Sequence, residues 1–112
     1  MKLIDDHYGA GRNEIAESYM FDCRSQKDTE SVADYVVALR KLSVHCNFGS
    51  QWEQRMRNRL VSGVKDDKIR NRLLSEGAKL TWERAVEIGI TADVQNTQAL
   101  LEDHIIRTVV VE

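Results

Sequence analysis

Proline is absent from all 112 residues of the chain. Without it no residue has its φ locked and no backbone donor is missing, so helices can run without a forced break. Cysteine is scarce: Cys23 and Cys46 are the only two, too few for a disulfide framework or a four-cysteine zinc site. Aromatics make up only 6% of the chain. No apolar run approaches the roughly 18 residues that a membrane span needs, so no membrane partner is expected. At the start, Lys2-Leu3-Ile4 runs straight into Asp5-Asp6, which is not a signal-peptide pattern. The expectation is a cytoplasmic protein with reduced thiols.

What is present favours an all-α fold. Hydrophobic residues reach 42% and charged residues 30%, with abundant Leu, Ala, Arg, Glu and Lys. The length suits one modest domain with its own core. Charge is nearly balanced overall but not along the chain. Residues 1–50 hold 6 basic and 8 acidic groups, residues 51–79 hold 8 and 4, and residues 80–112 hold 2 and 6. A basic middle between two acidic flanks suits self-complementary packing at least as well as nucleic-acid binding.

Periodicity and punctuation predict five helices. The first covers about Arg12 to Met20, with Ile15 and Tyr19 four apart on one face. Gly9-Ala10-Gly11 before it reads as a flexible joint, and "FDCRSQKD" after it as an extended linker. The second helix, about Ser31 to Cys46, has one buried stripe of Val32, Tyr35, Val36, Leu39, Leu42 and Cys46. Asp28 and Thr29 are its candidate N-caps. Asn47 and Gly49 suit the left-handed turn that stops it. The third helix runs from Ser50 or Gln51 to about Ser62, with Trp52, Met56, Leu60 and Val61 apolar, and Gly63 ends it. The fourth, about Asp66 to Ser75, buries Ile69 and Leu73, with Leu74 as a further candidate, and ends at Gly77. Thr81 caps the fifth, with Arg84 in place of the capping-box Glu and Glu83 favouring the helix dipole. Ala85, Val86, Ile88, Gly89 and Ala92 give it a small-residue face, and it continues through Leu100-Leu101. The tail "IIRTVVVE" is compatible with a frayed helix end, an edge strand or disorder. The expected architecture is a compact antiparallel bundle of four short helices behind one leading helix.

The polar frame of "QKDTESVADYVVALRKL", residues 26–42, stands out. Gln26 before a helix and Glu30 near its first turn can satisfy free backbone N–H groups and brace the linker against the helix. From residue 26 to residue 92 the chain resembles the C-terminal domain of the Gag capsid region of retroviruses and gypsy-type LTR retrotransposons. Gln26, Glu30, Asp34-Tyr35-Val36 and Leu39 match the major homology region that opens that domain. "LVSGVKDDKIRNRLLSEGAKLTWERAVEIG" follows as its remaining helices would. The retrotransposon branch is the nearer one: His7-Tyr8, Ile15, Glu17, Tyr19, Phe21, Arg24 and Gln26 fit its aromatic-rich segment, as do "CNFG" at 46–49 and "LVSGV" at 60–64. Two departures stand beside these matches. The arginine that completes the retroviral hydrogen-bond network aligns with Ala38, so the network must close otherwise, through Arg24 or Arg40. No CCHC zinc knuckle follows the last helix.

The resemblance implies a domain order: residues 1–25 as the end of the N-terminal capsid domain and its linker, 26–97 as the dimerisation domain, 98–112 as a helical extension or tail. It implies a brace of Gln26, Glu30, Tyr35 and Leu39. It also implies a homodimer contact on the third helix, centred on Trp52 and Met56 and rimmed by Arg55 and Arg59, with assembly toward a virus-like particle. From periodicity alone Trp52 serves equally as core. A domesticated, Gag-derived adaptor that dimerises or binds a peptide is the alternative. A helical nucleic-acid module is another, using Arg55, Arg57, Arg59, Lys65, Lys68, Arg70 and Arg72, but Glu53, Asp66 and Asp67 interrupt that stretch and favour a salt-bridged surface. Nucleic acid is then reached only indirectly, through flanking regions. No cofactor, metal or catalytic residue is expected: Cys23, His45 and Cys46 lack a zinc spacing, and no phosphate loop, nucleophile elbow or metalloprotease helix is present.

Overall fold

A computed structural model describes the backbone of residues 13–111 and the side chains of residues 13–98. His7, Tyr8, the Gly9–Gly11 joint and Arg12 fall outside them. The described residues form five α-helices: α1 (Glu14–Cys23), α2 (Val32–Ser43), α3 (Trp52–Gly63), α4 (Asp67–Leu74) and α5 (Trp82–Val111). Short 3-10 turns at Gly49–Gln51 and Gly77–Lys79 precede α3 and α5, and no strand occurs among the described residues. The fold is all-α, with α1 packed on α2, and α5 packed across α2, α3 and α4.

Asn13 starts α1 by accepting the N–H groups of Ile15 and Ala16 at 3.0 and 3.2 Å. The helix then continues through Phe21, Asp22 and Cys23, where an extended linker was expected. Phe21 drives this difference. It is fully buried and meets Phe48 edge-on at 5.0 Å between ring centroids. Phe21 and Glu17 form the buried side of the helix, and Ile15 and Tyr19, which do share one face, are 82% and 69% exposed.

The expected stripe of α2 is buried throughout, with Leu42 partly so. Its cap is Ser31, whose Oγ accepts the Asp34 N–H at 3.1 Å, and not Asp28 or Thr29. Asp93, far along on α5, accepts the Val32 N–H at 3.0 Å and so caps the same helix from another element. Asn47 and Gly49 adopt the left-handed φ values expected of them, 56° and 60°. Gly77 does likewise at 74°.

In α4, Ile69 and Leu73 are buried while Leu74 faces outward. Thr81 Oγ1 accepts the Arg84 N–H at 3.1 Å, as its position predicted. The small-residue face of α5 brings it close to α2: a Cβ added at Gly89 would lie 3.2 Å from Val32 Cγ1. α5 is not short. Its 30 residues extend about 45 Å, carry the tail as helix and cross the expected boundary at 97–98 unbroken.

Candidate functional site

The Gln26/Glu30 frame is built as a brace joining three elements. Arg24, just past α1, grips Glu30 through two parallel bonds, Nη1 to Oε1 at 3.0 Å and Nη2 to Oε2 at 2.6 Å. Such a fork is the strong form of the charged hydrogen bond. Glu30 Oε1 also accepts the Lys27 N–H at 3.0 Å, which closes the turn that leads into α2. The expected closure through Arg24 or Arg40 is therefore made by Arg24. Arg40 instead lies 5.8 Å from the Trp82 ring centroid.

Gln26 works in the other direction. Its Nε2 donates to the Glu30 carbonyl at 2.8 Å and its Oε1 accepts the Lys65 N–H at 3.1 Å. Its own backbone N–H donates to the Gly63 carbonyl at 2.9 Å. One buried amide thus ties the linker to the end of α3. Tyr35 completes the frame from α2, donating its hydroxyl to the Arg24 carbonyl at 2.8 Å and reaching the Arg59 carbonyl at 3.4 Å. Leu39 lies beneath, in the core.

Two ionisation shifts follow. The Arg24 fork holds the Glu30 carboxyl below its ordinary range, against the opposing effect of burial. Burial pushes the Tyr35 phenol up, so it remains a donor at neutral pH.

Gly63 matters here through contact and not through backbone freedom. A Cβ at that position would meet Tyr35 Oη at 1.8 Å and Tyr35 Cζ at 2.8 Å. Gly63, a helix terminator by residue type, is the last residue of α3, and its missing side chain admits the tyrosine. Only the tertiary fold, which brings residues 35 and 63 together, discloses that role.

The face of α3 expected to pair with another copy is largely used within the chain. Met56 is completely buried, and Trp52 is half-buried with its indole N–H donating to Ser43 Oγ at 2.9 Å. The Trp52 and Trp82 rings meet edge-on at 6.0 Å. Arg55 stacks over Phe48 at 4.4 Å and pairs with Asp22 of α1 at 2.9 Å, while Arg59 donates to the Asp22 carbonyl. The expected Trp52/Met56 patch does not form at the surface because the third helix turns these residues inward and its arginines hold α1.

The remaining basic groups follow the same rule. Arg57 donates to the Leu80 carbonyl at 3.1 Å, Arg70 pairs with Asp67 and bonds the Val61 and Val64 carbonyls, and Lys65 bonds the Asp28 carbonyl. Lys68 and Arg72 stand exposed. The basic stretch thus mostly caps carbonyls, and of its interleaved acids Asp67 pairs with Arg70 while Glu53 accepts the Trp82 N–H and Asp66 accepts from Asn96.

Cys46 is buried, its thiol pointing at the Leu42 carbonyl at 3.3 Å, and burial raises its pKa. Cys23 is exposed. No cluster of metal-ligating side chains occurs among the described residues, and no helix among them is long and apolar enough to cross a membrane.

Open cavities mark the surface of the described residues. One of about 560 Å³ lies between α3 and α4, with Val61, Leu73, Leu74, Ala78 and Leu80 in its walls. Another, about 480 Å³, is bounded by Arg40, Ser43, Val44, Asn47, Phe48 and Trp52. No protein-family model, curated protein or solved structure matches this chain.

Proposed function

We propose that this chain is a structural, Gag-like capsid domain whose task is homodimerisation and, in its full context, assembly of a capsid-like shell. The observation that carries the reading is the brace. Gln26 and Glu30, the residues on which the resemblance to the major homology region rests, meet in one network with Arg24, Tyr35 and the end of α3. Such a frame sets the angle between the segment before it and the helices behind it, and a repeating assembly requires a constant angle. Repetition of a two-fold contact by a second, lateral contact converts a dimer into a lattice. The role assigned is mechanical, and no side chain is given a catalytic part in it.

A Gag-derived adaptor is the second reading, favoured by the groove of mixed polarity between α3 and α4, where Leu73, Leu74 and Leu80 lie beside Arg57, Asn58 and Ser62 and offer a seat for a peptide. Negative-stain microscopy of the concentrated protein separates the two. Shells or curved sheets support the capsid reading, discrete dimers the adaptor, and dispersed single copies neither.

A further inference from the structure

We propose that the recess between the C-terminal end of α2 and the start of α3 is a peptide seat. Its ligand is an extended partner segment that carries a carboxylate side chain close to a large apolar one. The seat is separate from the α3–α4 groove, and the inference stands whether or not the chain assembles.

Arg40, Ser43 and Val44 bound this recess of about 480 Å³ from α2, and Phe48 and Trp52 add an aromatic surface. Spacings of three and four residues keep the α2 side chains on one side of that helix. Val37, three residues before Arg40, continues the same side away from the recess. Val37 and Val44 are 48% and 70% exposed, and Phe48 and Trp52 are half-buried. Arg40 therefore stands at the rim with an exposed valine on either side of it along the helix.

Charge selects the ligand. Arg40 is exposed, its guanidinium 5.8 Å from the Trp82 ring centroid, a contact that orients the group without neutralising it. The ion pairs among the described residues are made by Arg24, Arg55, Arg70 and Arg84, and none involves Arg40. No carboxylate lines the recess. Of the acids around it, Glu14 accepts from Asn47 and Glu53 accepts the Trp82 N–H. Asp34 is exposed six residues before Arg40, about 9 Å along α2 and roughly a third of a turn around it. Lys41 and His45, exposed on that outer side, offset its charge. Ser43 Oγ is engaged twice, donating to the Arg40 carbonyl at 2.8 Å and accepting the Trp52 indole N–H at 2.9 Å. Arg40 is thus the charged donor left for a ligand, and a carboxylate is its strongest complement. Arg40 and Val44 are about 6 Å apart along the helix, close to the 6.6 Å or so that two residues of extended chain span. A segment with its carboxylate on Arg40 accordingly sets an apolar side chain two residues away against Val44, Phe48 and Trp52, and one on its other side against Val37.

The test is an NMR titration of the full chain with the capped pentapeptide Leu-Ala-Glu-Ala-Phe, following the indole N–H resonance of Trp52. A saturable shift is expected. Replacing the peptide's Glu by Gln, or Arg40→Gln in the chain, should weaken binding roughly tenfold, with Arg40→Lys recovering part of the loss. Val44→Asp should weaken it at least as much, while Leu74→Asp, in the α3–α4 groove, should leave it unchanged. Urea unfolding midpoints of these variants, all at exposed positions, should match that of the unaltered chain. A resonance that stays still at millimolar peptide overturns the inference, as does a Gln peptide that binds as tightly as the Glu peptide. Binding lost in Leu74→Asp but kept in Arg40→Gln puts the peptide in the other groove and overturns it as well. If the resonance moves when the chain alone is concentrated and the peptide leaves it unmoved, a second copy fills the recess and the inference falls. Sedimentation decides the assembly reading separately.

Discussion

Replacing Glu30 by Ala removes both Arg24 bonds and the acceptor for the Lys27 N–H in one step. The Arg24 and Glu30 side chains are 19% and 13% exposed, which decides the scale of the loss. Fully exposed ion pairs contribute about 1 kcal/mol or less, and breaking a buried pair costs about 3–5 kcal/mol. This pair lies between the two, so Glu30→Ala should cost about 2 kcal/mol, lowering the melting temperature by roughly 10 °C. A double-mutant cycle with Arg24→Ala should return a coupling of about 1.5 kcal/mol near neutral pH. The pH dependence has a definite sign. The folded-state pKa of Glu30 is depressed, chiefly by the Arg24 bond, below an ordinary value of 4.5. The coupling is therefore fully present above that value and disappears as pH falls through the lower folded-state pKa. Urea unfolding of the four chains at neutral and acidic pH measures it. A coupling near zero at neutral pH, or one unchanged in acid, would refute the brace as a source of stability.

Other perturbations test the same geometry. Gly63→Ala should destabilise by about 2–3 kcal/mol, because the new methyl overlaps Tyr35. Tyr35→Phe in the same chain should recover part of that loss by removing the hydroxyl, so the two changes together cost less than their sum in urea titrations. Trp52→Ala should lower stability by about 3 kcal/mol through lost packing on Trp82 and the lost bond to Ser43, yet leave self-association of the folded chain intact. A folded, fully stable monomer from that variant would instead place Trp52 at the centre of a dimer contact.

The all-α class, the order of the helices and most of α2, α3 and α4 were legible because each buried stripe repeats at the helical period. The left-handed positions at Asn47 and Gly49 were legible from residue type alone. What failed depended on neighbours distant in sequence. α1 carries two apolar faces, Ile15 with Tyr19 and the one bearing Phe21, and only the presence of Phe48 selects between them. The same limit applies to Trp52 and Met56, whose spacing suits a core or a surface equally, and to the start of α2, where Asp93 caps from 61 residues away. The brace was the reverse case. Gln26 and Glu30 were identified from local pattern, but their partners Lys65 and Gly63 could be supplied only by the fold.

Assembly by identical contacts is the centre of the account, and sedimentation equilibrium of the unaltered chain over a wide concentration range tests it most directly. The account predicts a weight-average mass that climbs from 12.9 kDa toward twice that value and beyond as concentration rises. A mass that stays at the single-chain value throughout would contradict it.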